Sequence, residues 1–206
     1  MIEAFSLKTA HLFGDALLSQ ARLRHRVFVE HRALDHPSYD GMEYDRYDTP
    51  AAVYLVWRDP QRVVRGLIRL VPTSLPYMTE QNWPFLCQRR PLPKSGAIWE
   101  SSRVCVDKTY IAAIRKRIMP EMLCGVHEFC LHNGYEAVIG VTRKHLLEHY
   151  LPGKHQWLGP TAEVEGEQEA AFYIPTQDMR PHASCSRLGI PERVLSFEPV
   201  SQEAAA

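Results

Sequence analysis

The chain carries no net charge, since 24 Lys and Arg balance 24 Asp and Glu. No global field therefore draws it to nucleic acid or to a membrane surface, and no nucleic-acid motif is present. It lacks an apolar run near the roughly 18 residues that a membrane-spanning helix needs. Its opening, MIEAFSLKTAHLFGDALLSQ, has no long apolar stretch and carries charge throughout, so no signal peptide is expected. Cysteine is scarce: five residues, an odd number, with no CxxC. That argues against a disulfide scaffold and a cysteine metal site, and for reduced thiols in a cytoplasmic protein. His145 and His149 stand four apart without a third ligand, so no metal is expected. Internal repeats and low-complexity linkers are absent too.

What is present is an ordinary globular composition of 206 residues, 45% hydrophobic and 23% charged. This suits one domain, expected over residues 1–198, with a loose tail at 199–206. IEAFSL alternates as a first strand. Apolar residues then recur at helical spacing from Leu12 to about Arg32, and Pro37 ends that region. Residues 35–52 read as a polar, turn-rich loop. AVYLVWRD and VVRGLIRLVPT read as strands joined by the turn DPQR. Five prolines between residues 72 and 96 forbid long regular structure there. AIWESSRVCVD is another strand. Residues 110–133 are the longest helical stretch, with Pro120 expected to kink or split it. EAVIGVT is a buried strand, RKHLLEHYL a short helix and EAAFYIPT a last strand. The pattern predicts an α/β domain with a mixed central sheet covered by helices.

Several charges contradict that buried sheet. VVRGLIRLV contains Arg65 and Arg69, and IWESSRVCV contains Glu100 and Arg103. Residues 100 and 103 face opposite ways in a regular strand, so a bulge near Ser101 and Ser102 is expected to bring them together. Arg24 and Phe28 share one helix face. DGMEYDRYDTP, residues 40–50, concentrates Asp40, Glu43, Asp45 and Asp48. In isolation such a loop reads as solvated surface. Buried charge, however, must be paired. A network of Asp45, Asp48 and Glu100 with Arg24, Arg69 and Arg103 could grip a zwitterionic substrate, because arginine forks a carboxylate and carboxylates hold an ammonium or sulfonium. An ion-pair network that merely holds the loop explains Arg24, Asp48 and Arg69 equally well.

LRHRVFVEHRALD, DGMEYDRYDTPAAVYLV, GLIRLVPTSLPYM and WESSRVCVD, in this order and spacing, resemble the successive motifs of the acyl-homoserine-lactone synthases, the LuxI-type autoinducer synthases. The resemblance covers residues 12 to 150. It implies a fold like that of the GCN5-related N-acetyltransferases, a mixed, V-split sheet with helices on both faces. It also implies a reaction: an acyl thioester acylates the amine of S-adenosylmethionine, and lactonisation releases methylthioadenosine. Both compounds are substrates, and no cofactor is implied. The family pattern falls on Arg24, Phe28, Asp45, Asp48, Arg69, Glu100 and Arg103. Phe85 resembles an aromatic bordering the adenosylmethionine pocket. Leu34 stands where the family usually has tryptophan in that pocket's wall, and Trp83 or Trp99 are candidates to compensate. Ser102, Arg103 and Val104 occupy the place of a Ser-Arg-Phe triplet, and Ser102 is counted with the catalytic residues Glu100, Arg103 and Asp45. Thr142 resembles the family's acyl-pocket threonine, with Val104, Val141 and Leu146 as further lining.

Glu100 is the first candidate for the base that frees the attacking amine, although a neighbouring arginine would lower its pKa and weaken it. Backbone N–H groups at the bulge are candidates for stabilising the thioester oxyanion. The acyl donor implied is coenzyme A or acyl carrier protein. Arg115, Lys116, Arg117, Arg143 and Lys144 could dock an acidic carrier, while the acidic AEVEGEQEA argues for coenzyme A. A monomer is expected. One rival is an acetyl-coenzyme A N-acetyltransferase, disfavoured because no glycine-rich pyrophosphate loop follows VCVDKTY. The other is a non-enzymatic binding module. Cys105, on a strand without a partner base, reads as core.

Overall fold

The computed structural model describes residues 1–197, so the tail expected at 199–206 lies outside the described residues. Eleven strands form: β1 (Ile2–Ser6), β2 (Ser38–Tyr39), β3 (Met42–Glu43), β4 (Val53–Arg58), β5 (Val64–Pro72), β6 (Ile98–Val106), β7 (Ala137–Thr142), β8 (Gln156–Trp157), β9 (Ala162–Val164), β10 (Glu167–Pro175) and β11 (Leu195–Ser196). Five α-helices accompany them: α1 (Ala16–Arg24), α2 (Met78–Asn82), α3 (Ala112–His132), α4 (Lys144–Tyr150) and α5 (His182–Leu188). The main sheet runs β11-β1-β4-β5-β6-β7-β10-β8, with β9 on β10. Its pairs are antiparallel except β1–β11 and β6–β7.

Strand alternation gives the sheet two buried faces. Leu67, Val71, Ile98, Ile139 and Ala171 face a first core shared with Leu23 of α1. Ile68, Leu70, Trp99, Val138 and Phe172 face a second, shared with Ile118, Met122 and Val126 of α3. Pro120 lies inside one continuous α3 and does not split it. A helix-interior proline costs about 3 kcal/mol. Burying Ile118, Met122, Val126 and Phe129 returns about 1.5–3 kcal/mol each, which outweighs it.

The parallel pair β6–β7 is the feature that shapes the site. It is hydrogen-bonded only from Ile98↔Ala137 to Ser101↔Gly140, although β6 runs on to Val106 and β7 to Thr142. Beyond that point the strands part, which opens the V expected of this fold. Gly140 stands at the apex. A Cβ there would lie 2.6 Å from Ser101 Oγ, 2.8 Å from Ser101 O and 2.9 Å from Phe172 Cζ. Gly140→Ala should therefore cost about 1–3 kcal/mol, as overpacking does, measured as a lower denaturant midpoint. An unchanged midpoint would mean that the apex is not tightly closed.

Two expectations are corrected. β10 is not the last strand, because β11 follows and pairs with β1. Two residues cannot display a period. β11 is instead tied down by Glu128, whose carboxylate accepts the N–H groups of Val194 and Leu195, each at 2.9 Å. The 35–52 segment is not wholly loop, because β2 and β3 form a hairpin within it. Its turn residues, Asp40 and Gly41, have φ of 50° and 69°, the left-handed pair that an Asp-Gly hairpin turn requires.

Candidate active site

Five segments deliver charge to one place. α1 ends at Arg24, and the chain continues as a π-helical turn, His25–His31, that carries Phe28. The β2–β3 hairpin delivers Glu43. A turn delivers Asp45 and Asp48, with Asp48 accepting the Asp45 N–H at 2.8 Å. β5 supplies Arg69. β6 supplies Glu100, Ser102 and Arg103. The expected bulge is present, but one residue later than its predicted site. Leu67 pairs with Cys105 and Arg69 with Ser102, so Ile68 faces both Arg103 and Val104. Arg103 takes φ of 51°. The extra residue lets Glu100, Ser102 and Arg103 all serve the first-core side while Cys105 regains the buried register.

Three arginines there meet three acids. Arg24 bonds Glu43 through Nε and forks Asp48 at 2.8 and 2.9 Å. Arg69 forks Asp45 at 2.5 and 2.9 Å, reaches Asp48 at 2.9 Å and donates to Ser102 Oγ at 3.1 Å. Arg103 Nη2 lies 2.9 Å from both Glu43 and Asp45. The side chains of Arg24, Arg69 and Glu43 are fully buried. Burial alone would lower the Arg24 pKa, yet Asp48 and Glu43 outweigh it and leave it raised. Burial alone would raise Asp48, yet Arg24 and Arg69 hold it well below the usual carboxylate range. The cluster is charged, neutral in sum and internally satisfied.

Glu100 stands apart from these pairs. Its carboxylate accepts the backbone N–H groups of Met78 at 3.0 Å and Thr79 at 2.6 Å, at the start of α2. Burial raises its pKa against those bonds, and Arg69 is only a lesser opposing influence. The expected lowering by an arginine is present, from Arg69, but burial outweighs it. Cys105 is buried and its thiol is pushed up to about 12, as a core residue should be.

A cavity of about 630 Å³ passes through the open V. Phe28, Glu100, Ser102 and Arg103 line its charged side, with the Arg103 guanidinium 5.3 Å from the Phe28 ring centroid. Met119, Leu123, Val126, Phe172 and Ile174 line an apolar side beneath α3. Val104, Thr142 and Leu146 line the cavity as well. So does Val141, which packs against the first core and hence toward the charged side.

Not every expected residue reaches this cavity. Arg24, Asp45, Asp48 and Arg69 lie behind Arg103 and are not among its lining. Leu34 packs on the first core away from it. Phe85 is 49% exposed on a short 3-10 turn and does not line it. Of the two compensating tryptophans, Trp83 lines the cavity, whereas Trp99 is in the second core against Tyr135. The basic residues divide. Arg115, Lys116 and Arg143 line the cavity, whereas Arg117 pairs with Glu121 and Lys144 lies over Trp157. His145 and His149 are exposed, and among the described residues no group of three His, Cys, Asp or Glu could hold a metal. Glu43 is the residue that sequence reasoning passed over. Its one signal was the Asp40-Gly41 turn, which fixes the hairpin that carries it.

The fold is built on the N-acetyltransferase plan. A putative N-acetyltransferase from Lactobacillus plantarum shares the fold at 16% identity, with TM-score 0.56 over 85% of this chain and 98% of that one. The autoinducer synthase family model matches residues 12–154. An isovaleryl-homoserine lactone synthase of Bradyrhizobium diazoefficiens is 33% identical over 97% of this chain and 90% of its own length. An acyl-homoserine-lactone synthase of Pseudomonas chlororaphis is 33% identical over 81% of this chain and 84% of its own. The solved structure of BjaI, a coenzyme A-dependent acyl-homoserine lactone synthase with S-adenosylmethionine and isopentyl-CoA, superposes with TM-score 0.83 at 30% identity. It covers all of this chain and 96% of that one. The chain belongs to the autoinducer synthase family: it is an acyl-homoserine-lactone synthase.

Proposed function

We propose that the acyl donor is a coenzyme A thioester with a short branched chain, and that S-adenosylmethionine occupies the charged side of the cavity. One observation carries the reading: the cavity joins a charged compartment to an apolar one through the opening between β6 and β7. A zwitterion suits the first and an acyl chain the second, and the two meet at Ser102 and Arg103. The isovaleryl and CoA-dependent relatives support the donor class. Lys108, Arg115 and Lys116 in the lining offer cations for the phosphates of coenzyme A.

In this reading the substrate ammonium, whose pKa is about 8 in solution, gives a proton to Glu100 and becomes the neutral amine. The nitrogen attacks the thioester carbonyl, the C–S bond breaks, and the departing sulfur takes up the second nitrogen proton and leaves as the thiol. Backbone N–H groups at the bulge face the developing oxyanion. The substrate carboxylate then attacks the carbon beside the sulfonium, and methylthioadenosine departs with the bonding pair. Holding that chain folded supplies the rate of an intramolecular closure. Arg24, Asp45, Asp48 and Arg69 act indirectly, by fixing Arg103 and Ser102. Phe28 and Trp83 wall the site; Val104, Thr142, Leu146 and Phe172 bound the acyl chain. The reactants are cytoplasmic compounds, which supports a cytoplasmic protein.

The test is a mass-spectrometric panel of S-adenosylmethionine with straight, branched and aryl acyl groups, each on coenzyme A and on acyl carrier protein. The expected result is a branched-acyl lactone and methylthioadenosine in equal amounts from the coenzyme A donor. Product from the carrier protein alone overturns the donor assignment.

A further inference from the structure

Glu169 is the one carboxylate in the cavity's lining that has no hydrogen bond or ion pair, among the described residues. It pairs with Ala162 of β9, one residue before the stretch of β10 that pairs with β7, where Ala170 faces Thr142 and Ala171 faces Val141. Ala171 belongs to the first core, so by alternation Glu169 points to the same, charged side of the sheet. Its surroundings leave it no cation. Arg32 and His36 are taken by Glu165, at 3.8 and 3.2 Å, and Arg143 by Glu167 at 3.3 Å. Burial raises the Glu169 pKa, Arg32 and Arg143 oppose this from a distance, and Glu165 and Glu167 add to it.

A half-buried carboxylate with no partner is costly unless a ligand supplies the charge. Resting on the reading above, we propose that Glu169 is a substrate-positioning carboxylate that faces the sulfonium of S-adenosylmethionine. The substrate carries two cations, and chemistry distinguishes them. The ammonium must become neutral to attack, and a carboxylate fixed on it without a proton outlet would hold it charged. Glu100 is the group assigned to that proton. The sulfonium cannot be deprotonated and donates no N–H or O–H bond, so its partner is a bare negative charge at close range. Glu169 is such a group: it spends no lone pair on a protein donor, and it lies on the side of the sheet that carries Phe28 and Arg103. The contact is made already in the ground state, so it acts on binding more than on the chemical step.

Calorimetry with three probes tests this: S-adenosylmethionine, S-adenosylhomocysteine, which keeps the ammonium but has a neutral sulfur, and methylthioadenosine, which has neither charge. Glu169→Gln should weaken S-adenosylmethionine about tenfold or more and leave the other two within about twofold. Glu169→Asp should keep part of the preference for the charged sulfur. In turnover the KM for S-adenosylmethionine should rise about as much as the Kd, with kcat changed less than about threefold. Equal weakening of S-adenosylmethionine and S-adenosylhomocysteine would move Glu169 to the ammonium and overturn the proposal. So would wild-type affinity for all three probes in Glu169→Gln. A wild-type chain that binds none of the three would instead remove the underlying reading, and the assignment with it.

Discussion

Glu100→Gln is expected to lower the rate of lactone formation by about 10²–10⁴, the usual contribution of a positioned general base. Affinity for S-adenosylmethionine should change little, because the acidic partners of the arginines are Glu43, Asp45 and Asp48 and not Glu100. The pH profile separates this role from a structural one. Burial raises the Glu100 pKa in the folded chain, so the ionised, proton-accepting form is lost as pH falls through a value above that of an ordinary glutamate. The acidic limb of the wild-type rate profile should sit at that raised value and vanish in Glu100→Gln. The stability effect has the opposite sense. A raised carboxyl pKa favours the folded state at low pH, and this advantage fades as pH rises through the folded value. Near neutral pH the wild type therefore carries a desolvation cost that the neutral glutamine avoids. That relief offsets part of the damage at α2, where the amide oxygen of glutamine can keep one of the acceptor bonds to Met78 and Thr79 but its amide nitrogen cannot accept the other. A variant that folds and binds but turns over at the wild-type rate would leave Glu100 as the cap of α2 and nothing more.

Much of this site was legible because charge inside a strand is anomalous. Arg69, Glu100 and Arg103 each interrupt an apolar run, and a cost of that kind requires partners. The acid-rich segment before β4 supplied them, and even the need for a bulge followed from the odd spacing of 100 and 103. The position of the bulge did not. Ser101 and Ser102 were the residues most tolerant of irregularity, yet Ser101 remains the last residue paired to β7, so the extra residue falls at Arg103. Glu43 was hidden for a different reason. Two-residue strands have no visible period, and without the hairpin nothing distinguished Glu43 from exposed Asp40. Phe85 and Leu34 were carried over from motif resemblance alone, and neither lines the cavity. The lowering of the Glu100 pKa by an arginine was legible, but not the larger rise from burial, because sequence shows which charges are near but not how deeply a group is buried.

Glu43→Gln should be the most destabilising single change in the site, costing about 3–5 kcal/mol, the range for breaking a buried ion pair from one side. At about 2–4 °C per kcal/mol for a domain of this size, Tm should fall by about 6–20 °C. Glutamine keeps the volume, so the loss is electrostatic. It leaves Arg24 Nε and the Arg103 guanidinium, both bonded to Glu43, without their shared counter-charge. Asp45 and Asp48 cannot absorb the surplus, because each already serves Arg69 as well. Asp40→Asn in the same hairpin removes an exposed acid and should change stability by less than about 0.5 kcal/mol, which separates burial from position. The acid dependence follows with a definite sign. The Asp48 pKa is lowered in the folded state, so its stabilisation is present above the ordinary aspartate range and is lost as pH falls through the lower folded value. With Glu43 gone, Asp45 and Asp48 are the only acids left to hold three buried arginines. The variant should then unfold at a higher pH than the wild type on acidification. Equal acid midpoints for the two proteins, or a Tm loss of under about 3 °C, would mean that water enters the cluster and that its charges are less buried than their geometry requires.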